Sequence, residues 1–136
     1  DKITIIPFDN EILGTYTTNN GIDTKNLIDK ITGINIGGGT DIYKPAMKGL
    51  EILSQEDLET YNVSIVLMTD GASNYNRLDE LTRLYKKTGK DIPIFSIMFG
   101  YAEEEQLQDI ADLTNAKIFD GKTNLLEAFK QVRGYN

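Results

Sequence analysis

The sequence predicts an α/β protein with a mostly parallel sheet and one antiparallel edge strand. Three observations carry that reading. From Asn62 onward, apolar runs alternate with amphipathic stretches as strand, helix, strand, helix, strand, helix, the order of a parallel sheet with crossover helices. Two of the runs, "NVSIVLMTD" at 62–70 and "IPIFSIMFG" at 92–100, are almost continuously apolar, as strands covered on both faces are. Near the N-terminus, "KITIIPF" is followed within a few residues by "EILGTYTT", whose alternation suits an antiparallel edge strand.

In chain order, Ile3, Ile5, Ile6 and Phe8 form the first strand, which is interrupted at Pro7 and ends at Asp9-Asn10. "NNGID" at 19–23 is a turn. "TKNLIDKITGI" places Leu27, Ile28 and Ile31 at helical spacing, closed by Gly33. After the glycines at 37–39, Ala46, Met47, Leu50 and Leu53 mark a helix from about Ile42 to Ser54, with Pro45 in its first turn, where a missing N–H matters little. Leu78, Leu81, Leu84 and Tyr85 give a second amphipathic helix that ends near Gly89. "EEEQLQDIADLT" opens with three glutamates, favourable at the positive end of a helix, and presents Leu107, Ile110, Ala111 and Leu113. "AKIFDG" is a short strand, and "TNLLEAFKQVRGY" is a last helix capped by Thr123 or Asn124.

Composition narrows the chemistry. The 136 residues, 40% of them apolar, suffice for one domain with a core. A net charge of −7 argues against a nucleic-acid face, which must be basic, and is compatible with cation binding. No apolar run approaches the roughly 18–20 residues of a membrane span. Cysteine and histidine are both absent, so thiol chemistry, the serine-triad base and the usual zinc ligands are excluded. Metal binding or catalysis must therefore run on oxygen donors, lysine or tyrosine.

Two stretches look built for such chemistry. "GGGT" at 37–40 precedes a helix, and the strand at 62–70 ends on Thr69-Asp70-Gly71. In open parallel sheets ligands sit outside the carboxyl ends of the strands, so both loops fall on one rim. "GGGT" lacks both the GxxxxGK[ST] and the GxGxxG spacings of phosphate loops. A threonine hydroxyl and an aspartate suit a hard cation, and the glycines allow a tight turn that brings the hydroxyl close. Taken singly, the glycines read as a turn, Thr40 or Asp41 as an N-cap and Asp70 as a cap of the following segment. Taken together at successive strand–helix junctions, they point to a metal site.

These loops resemble the von Willebrand factor type A domain, in which a GGT loop precedes a helix and a later apolar strand ends in TDG. The matching residues are Gly38-Gly39-Thr40 with Asp41-Ile42-Tyr43, and Val66-Leu67-Met68-Thr69-Asp70-Gly71; "IPIFSIMFG", the acidic helix after it and "KIFDG" follow in order. The resemblance covers nearly the whole chain. It implies a three-layer, doubly wound sheet, Rossmann-like, and a metal-ion-dependent adhesion site for magnesium or manganese. Thr40 matches the family's hydroxyl ligand and Asp70 the acidic ligand of its third loop. Gly39, Asp41, Tyr43, Gly71, Ser73 and Asn74 surround them on the implied rim as candidate partner contacts. The implied function is a binding module, not an enzyme, taking a carboxylate from a partner protein. The tail "AFKQVRGYN" is similar to the ends of bacterial proteins with a C-terminal type A domain, which implies a bacterial-envelope setting.

The sequence departs from the family in one respect. No D-x-[ST]-x-[ST], the family's first metal loop, occurs here. The opening run matches the family's second strand, so residues 1–136 are expected to form a single domain incomplete at its N-terminus by roughly 40 residues, a strand, loop and helix. The strands "ITIIPF" and "VSIVLM" would then each lack a neighbour, and are expected to pair with each other or with a second copy in a homodimer. Thr40 and Asp70 alone are expected to bind metal weakly or not at all. Two other readings stay open. A magnesium-dependent hydrolase or phosphotransferase could use Asp70, although haloacid-dehalogenase-type phosphatases carry a nucleophilic aspartate where Met68 stands. A metal-free structural α/β domain is the other.

Overall fold

The computed structural model describes residues 2–19, 24–34, 37–70, 72–98, 100, 103–121 and 125–134. The elements are β1 (Lys2–Ile5), β2 (Tyr16–Asn19), α1 (Thr24–Thr32), α2 (Tyr43–Leu53), β3 (Ile65–Thr69), α3 (Leu78–Thr88), β4 (Ile94–Met98), α4 (Glu104–Leu113), β5 (Ile118–Asp120) and α5 (Leu125–Gly134). β3, β4 and β5 form a parallel sheet in that order, and β1 and β2 an antiparallel pair. The α/β class, the parallel order and the antiparallel strand are as the sequence predicts. The cap expected at Thr123 or Asn124 lies outside the described residues.

The continuous apolar runs become strands whose alternate residues face two cores. Ile65 and Leu67 of β3, Ile94 of β4 and Ile118 of β5 pack on one side with Ile42, Tyr43, Ala46 and Leu50 of the α2 segment, Leu81 of α3, and Leu107 and Ile110 of α4. Val66, Met68, Phe95, Ile97 and Phe119 face the other side with Val132 of α5. Side chains alternate along a strand, so only a sequence apolar at every position can supply both layers. Each fully buried aliphatic or aromatic side chain contributes about 1.5–3 kcal/mol, which makes this two-sided packing the main cohesive term.

Polar groups complete the layer. β5 begins opposite Ser96, so the Ile94 N–H has no strand acceptor on that side; it donates instead to the buried Thr114 hydroxyl at 3.0 Å. Lys90 Nζ donates to the Ser54 and Glu56 carbonyls at 2.6 and 2.9 Å, satisfying the C-terminal end of α2.

The N-terminal elements differ from expectation in three ways. Strand pairing at Glu11–Ile12 is limited to a bridge between Phe8 and Ile12, and β2 starts only at Tyr16. Ile28, expected on the apolar face of α1, is 52% exposed. β1 and β3 lie in separate sheets, so the expectation that they close on each other is corrected. β1 instead joins the body through Phe8, which packs on the main core, through the Lys2–Glu56 ion pair, and through Asp9. No helix among the described residues is long and apolar enough to cross a membrane.

Candidate metal centre

Three chain segments meet at the carboxyl ends of β1 and β3. Asp9 follows β1 and is buried. Its carboxylate accepts N–H groups of Glu11 and Gly37, both at 2.8 Å, and its carbonyl accepts the Asp41 N–H at 2.9 Å. The two N–H donors stabilise the charged form and hold the Asp9 carboxyl below its ordinary value. Asp9 therefore fastens both ends of the GGGT loop.

The opposite side of that loop is fastened by residues 72–77. Asn74 N–H donates to the Thr40 carbonyl at 2.8 Å, and the Thr40 N–H donates to Asn74 Oδ1 at 2.6 Å. The Ser73 hydroxyl donates to the Tyr75 carbonyl at 2.8 Å and accepts Ile42 N–H at 3.4 Å. Gln106 of α4 accepts the Ser73 N–H at 3.0 Å and donates to the Ser73 carbonyl at 3.4 Å. Gly39 has φ +88°, a conformation that favours glycine, and a Cβ there would sit 3.0 Å from Asn74 Oδ1.

Asp41 and Tyr43, expected to face a partner, do not. Asp41 is fully buried: Oδ1 accepts the N–H groups of Tyr43 and Lys44 at 3.0 and 3.3 Å, capping α2, and Oδ2 accepts Arg77 Nε at 2.7 Å. That bond raises the pKa of Arg77, whose guanidinium also lies 4.8 Å from the centroid of the Tyr75 ring. Tyr43 is fully buried in the main core, where loss of water pushes its phenol up. Both correct the expectation of surface contacts: an aspartate can afford burial here because a helix start and an arginine satisfy it. Ser73 and Asn74 lie on the rim as expected, but their polar atoms bind the loops. Gly71 lies outside the described residues.

Thr40 and Asp70 contrast with these neighbours. Thr40 is half-buried and Asp70 exposed. Among the described residues, neither the Thr40 hydroxyl nor the Asp70 carboxylate has a hydrogen-bond partner. Their segments are brought together through Asn74, four residues beyond Asp70. The backbone of Asp70 is covered by Gly100 (φ +66°), where a Cβ would meet Asp70 O at 2.8 Å. Sequence reading missed Gly100, Gln106 and Arg77; the Phe-Gly that ends the 92–100 run was the only local signal for any of them.

A hydroxyl and a carboxylate left uncommitted on one rim fit a hard divalent cation, which takes about six oxygens and keeps several waters. Among the described residues no cluster of three or more Asp, Glu, His or Cys side chains offers an alternative cage.

Comparison with known proteins agrees with this architecture. Solved structures with the same fold include an aerotolerance-related membrane protein from Bacteroides fragilis (TM-score 0.76, 19% identity, 98% of this chain and 78% of that one). They also include proximal thread matrix protein 1 from the mussel byssus (TM-score 0.60, 22% identity, 95% of this chain). One form of the mussel protein has a zinc-occupied MIDAS motif (TM-score 0.62). This chain spans 33% of the mussel protein's length. No curated protein sequence matches the chain. The profile of the von Willebrand factor type A domain matches residues 1–132, and the chain belongs to that family.

Proposed function

We propose that this chain is a protein-binding module that takes a partner's carboxylate through magnesium or manganese held at the rim by Thr40 and Asp70. One observation carries the reading. Asp9, Asp41, Ser73 and Asn74 are each committed to hydrogen bonds within the fold, whereas the Thr40 hydroxyl and Asp70 carboxylate are not. A folded rim that satisfies its structural polar groups and leaves a hydroxyl and a carboxylate open has donors to spare for a ligand. A cation there would offer its remaining coordination positions to an incoming carboxylate. Two side-chain ligands in a shell of about six oxygens give weak binding by these residues alone. The mussel protein's zinc-occupied motif supports the choice of a metal site on this fold.

Calorimetric titration with Mg²⁺ and Mn²⁺ tests the proposal. The expected result is weak binding that both Thr40→Ala and Asp70→Ala abolish. Equal heats in both variants would place the ion elsewhere, and no binding in the unmodified chain would favour a structural domain without metal. The hydrolase reading gains no comparable support, since the position of the phosphatase nucleophile is held by Met68, which packs against the Phe95–Ile97 cluster.

A further inference from the structure

Asn74 contacts Thr40 through both of its polar ends, a relation that a residue reserved for a partner would not need. The Asn74 N–H holds the Thr40 carbonyl and Asn74 Oδ1 holds the Thr40 N–H, so the peptide groups on both sides of the Thr40 Cα are fixed. Threonine is β-branched and restricted at χ1, so fixing its backbone narrows where its hydroxyl can point. Asn74 is itself placed from two directions. Gln106 on α4 brackets the neighbouring Ser73 with both atoms of its amide, and the missing side chain at Gly39 makes room for Asn74 Oδ1. The ion pair of buried Asp41 with half-buried Arg77 ties the same two segments one residue beyond Thr40, without touching Thr40's own polar groups.

We infer that Asn74 is a positioning residue that sets the Thr40 hydroxyl relative to Asp70, and that it contributes to cation binding through Thr40 and not by contact with the ion or the partner. The inference rests on the functional reading above. The geometry gives it a distinct signature. Alanine at 74 keeps the backbone donor to the Thr40 carbonyl but removes the acceptor of the Thr40 N–H. Aspartate at 74 keeps that acceptor. Asn76, two residues along and also exposed, uses its Oδ1 to accept the Leu78 N–H at 3.1 Å and does not touch Thr40.

The test is amide exchange measured by NMR together with a Mn²⁺ titration, on the unmodified chain and on Asn74→Ala, Asn74→Asp and Asn76→Ala. In Asn74→Ala the Thr40 amide is expected to exchange about tenfold faster, and Mn²⁺ affinity to fall about tenfold or more, as when a ligand's supporting hydrogen bond is lost. The amides of β4 should keep their rates. Asn74→Asp should restore protection of Thr40, and Asn76→Ala should alter neither readout. Unchanged Mn²⁺ affinity in Asn74→Ala, or an equal loss in Asn76→Ala, overturns this inference and leaves the functional reading standing. If the unmodified chain takes up no Mn²⁺, both fall together.

Discussion

The parallel half of the molecule and the β1–β2 half hold their ends of the rim by different physics. β3, β4 and β5 are gripped between two apolar layers, with Leu67, Ile94 and Ile97 at most 4% exposed. β1 has Ile3 46% exposed and reaches the body through Phe8, one ion pair and the hydrogen bonds of Asp9. The GGGT loop lies on the seam. Asp9 fastens it to one half; Asn74, Ser73 and Arg77 fasten it, directly or through Asp41, to the other. Apolar burial thus supplies the cohesion of the parallel half, while directional polar bonds set the site at its edge.

The sharpest way to break this contrast is by truncating side chains in each half. Leu67→Ala should cost about 2–5 kcal/mol, whereas Ile3→Ala should stay within about 0.5 kcal/mol, both read by urea denaturation. Comparable losses would erase the distinction. On the seam, Asp41→Ala should cost about 1–2 kcal/mol through loss of the α2 cap, with Arg77→Met also destabilising because it leaves a fully buried carboxylate without its cation. If Arg77→Met is silent in the same denaturation experiment, the pair is not holding the seam.

Acid titration sharpens the contrast for β1. Asp9 has a folded pKa below its ordinary 3.8, owing to the N–H groups of Glu11 and Gly37. Its stabilisation is therefore present above the ordinary value and is lost as pH falls through the lower, folded one. The stability difference between the native chain and Asp9→Asn should shrink from about pH 5 to about pH 3; a difference independent of pH would show that the carboxylate's charge is not used. The smallest effect is expected inside the parallel half. Ser96 is fully buried and its hydroxyl finds no partner among the described residues, so Ser96→Ala should be neutral or stabilising by up to about 1 kcal/mol. A clear loss of stability would mean that the hydroxyl is satisfied after all.

Much of the fold was legible because burial on two faces writes itself into the sequence: "SIVLMT" and "IPIFSIM" have almost no polar residue to place. The helix faces of α2, α3 and α4 followed from spacing for the same reason. The N-terminal half was harder to read. Ile28 obeys helical periodicity yet is exposed, and "EILGTYTT" alternates well but forms only a bridge at Ile12 and a continuous ladder from Tyr16, since pairing depends on β1 and not on the segment itself. At the candidate site, the loops single out Thr40 and Asp70 as the proposed ligands. What could not be read was the difference between Asp41 and Asp70. They are chemically identical, and what makes the first a buried strut is the start of α2, whose N–H groups it accepts, together with Arg77, 36 residues from Asp41. Gly100 and Gln106 act through contacts with Asp70 and Ser73 that no local pattern encodes.

Thr40 and Asp70 are proposed as the oxygens this rim offers to a cation. Line broadening of backbone amides by Mn²⁺ tests this proposal most directly, because a paramagnetic ion marks its own location even when it binds weakly. The strongest broadening is expected at Thr40 and Asp70, and is expected to be lost in both Thr40→Ala and Asp70→Ala. Broadening centred instead on Glu103–Glu105, and unchanged in both variants, would contradict it.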